Sequence, residues 1–198
     1  RQMCIRDSMN IVVDEGVFVS FLDTTKSKTI HLESCKNSTV YYTILDSVNS
    51  SRNFIICGEL QINEIGLNKT KENLNLELVT ENSSANVKCL CIASGMENSF
   101  TQTITHKNLF TTSNISNVAV SMNHSNVVFD TTGKIEKAMS GSKCQQLSRG
   151  IVMDDYSSVT AKPILLIDDY DCFANHGASI GKMSDELSLI HISEPTRH

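Results

Sequence analysis

The chain of 198 residues carries 22 Asp and Glu against 17 Lys and Arg, a formal net charge of -5, with 40% hydrophobic and 20% charged residues. That length supports one domain with a substantial core, and the composition excludes a disordered chain. An acidic balance without a basic patch interleaved with aromatics argues against a nucleic-acid partner. No apolar run is long enough to cross a bilayer, so no membrane span is expected.

Short runs rich in Val, Ile, Leu, Thr and Phe follow one another along the chain. They predict strands over 10–13, 17–22, 29–32, 39–45, 52–56, 59–65, 73–80, 86–93, 101–105, 117–122, 126–130 and 164–167. Turn-forming clusters separate them at 14–16, 36–38, 81–84 and 130–133. Helical periodicity is weak everywhere except around 135–146. So many short strands suggest a sandwich, a barrel or a solenoid, and their irregular spacing does not choose among the three. The 7 cysteines are scattered, with no Cys-x-x-Cys pair, which predicts reduced thiols in a cytoplasmic setting and no zinc ribbon.

The two ends read differently from the middle. Residues 187–198 back-translate throughout to a string that resembles a transposon-based sequencing adapter, and residues 1–8 to the complementary adapter end. Both are expected to be non-native tails, with 9–186 as the native portion. Cys4, His191 and His198 would then belong to no site, and the native protein would continue past Glu186.

Residues 161–181 read AKPILLIDDYDCFANHGASIG: an apolar run, an acidic turn, then Asn175-His176-Gly177-Ala178-Ser179. This stretch resembles the C-terminal signature of the SufB/SufD family of iron–sulfur cluster assembly. Its His-Gly-Ala form is similar to the SufD branch, whereas the SufB branch usually carries His-Glu-Ala. The resemblance extends through residues 74–93, Thr103-Ile104-Thr105-His106 and the 129–135 segment with Gly133-Lys134-Ile135. It is looser over 145–153. It implies a right-handed parallel β-helix spanning 9–186, without the C-terminal helical region that contacts the SufC ATPase in that family. In such a solenoid, inward Val, Ile, Leu and Cys would fill the core, and outward Asn, Thr and Lys would stay wet.

Several side chains could carry chemistry. The resemblance places His176 toward a SufB partner, where a nascent cluster forms; the plainer reading is a turn histidine bonding backbone beside Gly177. Cys172 is a thiolate candidate for a cluster, but it lies four residues before His176, and Ala174 occupies the position where many SufD relatives place a cysteine. Asp169 and Asp171 could supply oxygen ligands or simply be solvated. Cys89 and Cys91 share one face of a strand and alternate with Val87, which favours the core. Cys35, Cys57 and Cys144 read as structural, and His106 and His124 as packing or surface residues. No phosphate-binding Gly-rich loop and no Gly-x-Ser-x-Gly elbow is present.

The function that the resemblance implies is a non-catalytic scaffold subunit, pairing with SufB-type and SufC-type subunits in the cytoplasm. It would hold no tight cofactor, only a transient Fe–S cluster at the SufB interface. Pairing with a second copy stays open. A SufB-type paralogue and a carbohydrate-active β-solenoid are the competing readings; the latter would need clustered carboxylates on an outer face.

Overall fold

In the computed structural model residues 8–26 and 28–183 are described. They form fourteen strands: β1 (Ser8–Val13), β2 (Phe18–Asp23), β3 (Thr29–Ser34), β4 (Thr39–Leu45), β5 (Ser50–Ile56), β6 (Glu59–Gly66) and β7 (Lys71–Leu78), then β8 (Ser84–Ser94), β9 (Glu97–His106), β10 (Thr112–Met122), β11 (Asn126–Ile135), β12 (Lys143–Val152), β13 (Ser158–Ile167) and β14 (Phe173–Lys182). No helix occurs among the described residues, so none is long and apolar enough to cross a membrane.

The odd strands make one seven-stranded sheet and the even strands another, and every pairing is parallel. Each coil therefore contributes one strand to each sheet and stacks on the coil before it. This is a parallel β-helix. The coils are not of one size: Ser8 pairs with Thr29, a step of 21 residues, and Asp130 with Lys162, a step of 32. The strands lengthen in parallel, from 6 residues in β1 to 11 in β10.

Twelve of the expected strand runs are present, with 39–45 matching β4 end to end. Two strands, β12 and β14, escape the apolar-alternation rule. In β12 the inward residues are Cys144, Gln146, Ser148, Gly150 and Val152, while the outward side carries Leu147 and Ile151, so polarity is partly inverted. The helical expectation around 135–146 is corrected for the same reason: Ile135 ends β11, a turn follows, and Lys143 opens β12. Of the two expected tails, residues 1–7 and all of 187–198 lie outside the described residues, as do 184–186 of the expected native portion; Ser8 begins β1 and pairs with Thr29.

Between the sheets, alternate residues of each strand point inward. The first coils are packed by Ile30, Leu32, Val40, Ile44, Leu60 and Leu76, all near zero exposure. Each such side chain contributes roughly 1.5–3 kcal/mol by leaving water. Farther along, Cys89, Cys91, Ala93, Phe100 and Phe129 continue the core, with the two phenylalanine rings 5.3 Å apart. Cys89 and Cys91 are thus core residues, as their alternation predicts. Gly133 is needed by close approach: a Cβ there would lie 2.3 Å from Cys144 Sγ.

The interior is more polar than ladders of Val, Ile, Leu and Cys. Arg52 is fully buried and donates from Nε and Nη2 to Asp23 Oδ2 (2.9 and 2.7 Å) and from Nη1 to Glu72 Oε2 (2.5 Å). Tyr42 donates to the same Asp23 oxygen at 2.7 Å, and Ser47 donates to Glu72. Burial works to raise the Asp23 carboxyl, but the donors from Thr25, Tyr42 and Arg52 outweigh it and hold it below its usual range. Glu64 lies nearby, buried, with neither carboxyl oxygen bonded. Burial first, and then the charge of Glu72, push Glu64 well upward, so it holds its proton while Glu72 serves as the anion for Arg52.

Two outcomes follow from this network. Arg52→Ala leaves Asp23 and Glu72 buried without their cation, and should lower unfolding free energy by about 3–5 kcal/mol in urea titrations. Glu64 has a raised folded pKa, so its contribution is full below its unfolded value near pH 4.3 and is lost as pH rises. Glu64→Gln should therefore stabilise the chain at pH 7 to 8 and flatten that part of its stability–pH curve.

Candidate functional site

The last coil is built from β13, the turn after it, and β14. Both strands end their sheets, and no described strand pairs with their free edges. Pro163, which has no N–H to give a ladder, is tolerated on such an edge strand. The turn is held by its own acids. Asp169 Oδ1 accepts from Asp171 N at 2.8 Å, Asp171 O accepts from Gly141 N at 2.6 Å, and Ser140 Oγ donates to the Asp171 carboxylate. Asp169 and Asp171 are thus turn-forming residues that tie this coil to the one before it.

His176 stands in the middle of β14, not in a turn. It pairs in register with Gln146, whose side chain is buried inward. Alternation places His176 on that same inward side, with Ala174, Ala178 and Ile180. Since no described coil covers it, the imidazole is exposed at the mouth of the solenoid and makes no hydrogen bond with the described residues. Asn175, Gly177 and Ser179 take the outward side. A shallow cleft of ≈ 310 Å³ beside β14 is lined by residues of both sides: Asn114, Gln145, Gln146, Leu147, Asn175, His176 and Gly177.

Behind His176 the lumen stays polar. Gln146 Nε2 donates to Ile164 O at 3.3 Å, and Thr131 Oγ1 lies 3.5 Å from Gln146 Oε1. One coil deeper, Asn117 donates to Gln102 at 2.9 Å. Gln102, Asn117 and Thr131 alternate with buried Phe100 and Ile104, Ile115 and Ala119, or Phe129 and Ile135, whereas the inward neighbours of Gln146 are Cys144 and Ser148.

Cys172 does not join His176. Four residues of extended chain separate them, about 13 Å, too far to share one ion. Its thiol donates to Asp169 O at 3.2 Å, and burial, with the charges of Asp169 and Asp171, pushes its pKa up, so it remains a thiol and a weak ligand. Among the described residues no three His, Cys, Asp or Glu side chains come together to hold a metal. At this end of the solenoid the described chain offers one unbonded imidazole, not a ligand set.

The other singled-out residues are structural. Cys35 and Cys57 are half-buried, and Cys144 is buried, its thiol pushed up by that burial. His124 stacks on Tyr156 with centroids 4.7 Å apart. His106 is sealed in the lumen, with Nδ1 2.7 Å from Thr111 Oγ1 and Nε2 2.8 Å from Ser113 Oγ. Missed altogether were Arg52, Glu64 and Glu72. The signal was available: each alternates with Phe54 and Ile56, Leu60 and Ile62, or Leu74 and Leu76, on the face that must point inward.

Residues 57–188 match the family described as SUF system FeS cluster assembly, SufBD core domain. The chain belongs to that family. A stretch of 65 residues is also 37% identical to the iron-sulfur cluster assembly protein SufD of Bacillus subtilis (strain 168), covering 33% of this chain and 15% of that protein. The match thus spans a minor part of the relative's length. The matched family region contains both the polar lumen and the whole 173–182 strand.

Burial lowers the His106 pKa from 6.5 to about 4. Below pH 6.5 the unfolded chain takes up a proton that the folded site refuses. Stability from this site is full above that pH and drains away down to about pH 4, by about 3 kcal/mol in all. Urea midpoints measured between pH 7 and 4.5 should fall accordingly, and His106→Gln should remove most of that slope.

Proposed function

We propose that this chain is the core of a SufD-type scaffold subunit in iron–sulfur cluster assembly, pairing with a SufB-type subunit in a complex driven by a SufC-type ATPase. The observation that carries the reading is the placement of His176: an exposed, unbonded imidazole on the open end of a SufBD-type solenoid. A free sheet edge invites strand addition from a partner. One imidazole without companions suits a shared site, in which the partner supplies the remaining ligands to a transient cluster. The cluster is cargo at that interface, and the subunit performs no reaction of its own.

The His-Gly-Ala form favours the SufD branch over a SufB-type paralogue. Gly177 faces outward beside Leu147, and a Cβ there would meet Leu147 Cδ1 at 3.4 Å, an ordinary contact. A glutamate would fit, so the branch difference at this position is one of charge rather than space. The carbohydrate-active reading loses its only acidic cluster, because Asp169 and Asp171 are bonded into the turn. Residues 9–186 are taken as the native portion, at work in the cytoplasm.

The test is anaerobic co-expression with SufB-type and SufC-type subunits. The chain should co-purify with the SufB-type subunit. His176→Ala should leave that association intact and cut cluster absorbance about tenfold, the loss of one ligand worth about 1.4 kcal/mol or more. Ala178→Pro, which removes a backbone donor from the edge strand, should weaken the association itself. Failure to co-purify, or recovery of a stable homodimer in place of the mixed complex, overturns the pairing. Undiminished cluster formation by His176→Ala overturns the site.

A further inference from the structure

The outward face of the even-stranded sheet is not the wet surface of Asn, Thr and Lys expected for it. Around its C-terminal half the ladders turn apolar. Ile65, Leu90 and Val118 stand side by side on β6, β8 and β10. The next ladder is Ile92, Val120 and Ile151. The pairing runs one residue further through Met153 N to Ser121 O and Met183 N to Val152 O, which aligns Met122, Met153 and Met183. Leu90 and Ile92 are each 39% exposed and Ile151 44%. At β14 the surface ends in Gly181, where an added Cβ would touch nothing within 4 Å.

From this face we infer a docking site for an amphipathic α-helix of a partner protein, its apolar stripe flanked by carboxylates. Parallel sheets are ordinarily covered on their faces by helices, and among the described residues no helix covers these apolar ladders. Four strands about 4.8 Å apart and three ladders about 6.6 Å apart give on the order of 400 Å². That is the size of the largest apolar patch on a typical monomer, roughly 300–600 Å², a patch that is often functional. It is about half of what each partner buries in a stable interface of standard size, so it suits one helix better than a second copy of the chain. A helix about 10 Å across needs roughly 14 residues to run along 20 Å of it. Methionines at one border give a surface that adapts to its guest.

Charge selects the guest. Arg149 continues the Leu90–Val118 ladder and Lys88 lies at its border, and neither has an ion-pair partner among the described residues. The acids at the adjacent turn are occupied: Asp154 accepts from Asn123 N, Tyr156 N and Ser157 Oγ, and Asp155 pairs with Lys182. A two-fold pairing of this face with itself would gather two copies each of Arg149 and Lys88 in one interface, with no acid on the apolar ladders to pair them. A helix bearing glutamates on the flanks of a leucine stripe meets them instead.

The site is separate from His176, which lies on the inward side of β14, so the two readings fail separately. The probe is a pair of fluorescent model helices of about 18 residues, both with one leucine stripe, flanked in one by Glu and in the other by Lys. The Glu-flanked helix should bind the chain about tenfold more tightly than the Lys-flanked one, and added salt should weaken it. The double variant I92T/I151T keeps strand-forming residues and should lower that affinity about tenfold, with the urea midpoint little changed. R149E should reverse the preference between helices. Equal affinity for the two helices, no binding of either, or indifference to I92T/I151T overturns the proposal. So does light scattering that shows a dimer dissolved by I92T/I151T, which would make the face a self-interface.

Discussion

Each coil lies on the one before it in parallel register, and nearly every other feature of the molecule follows from that constraint. Once Thr29 pairs with Ser8 and Ser51 with Thr29, the position of every inward side chain on one coil is set by its counterpart below. Backbone donors and acceptors are satisfied between coils and not within them, so no coil is stable alone. The chain can lengthen a coil only by extending strands and turns while keeping each ladder aligned. It does so, which is how the solenoid broadens toward its C-terminal end without losing pairing.

Broadening has a chemical consequence. Where coils are short, aliphatic side chains from the two sheets fill the interior. Where coils are longer, inward positions carry Gln102, His106, Asn117, Thr131 and Gln146, which bond across the lumen to one another or to neighbouring hydroxyls. The cluster of Asp23, Arg52 and Glu72 lies among the short coils, and three carboxyl groups with Glu64 surround one guanidinium. Two anions balance the cation poorly, and a third would be intolerable without solvent; protonation of Glu64 resolves the imbalance. The same low dielectric keeps His106 neutral.

Much of this architecture was legible in the sequence, but not the repeat. A fixed period would have announced a solenoid directly, and the step from 21 to 32 residues erases it. The strands themselves were visible wherever inward residues are apolar, as in β4, and vanished where inward residues are small or polar, as in β12 and β14. Arg52, Glu64 and Glu72 were readable by alternation, yet charge on an apolar face runs against expectation because such burial is costly. The histidine box was found by family resemblance alone. Periodicity could not place His176 at an open end, since that depends on which strand closes the sheet.

The geometry also explains why one imidazole and one apolar face can serve different ends. Contacts at the mouth of a solenoid run along its axis and add to its ladders, so they extend the hydrogen-bonded sheet and bring the inward His176 toward whatever strand is added. Contacts on a sheet face run across the axis and bury side chains without touching the ladder. Gly177 and Gly181 lie at the junction of the two, on the outward side of the edge strand, and leave its backbone bare toward the apolar ladders. A partner added at the edge would thus continue the face as well as the sheet.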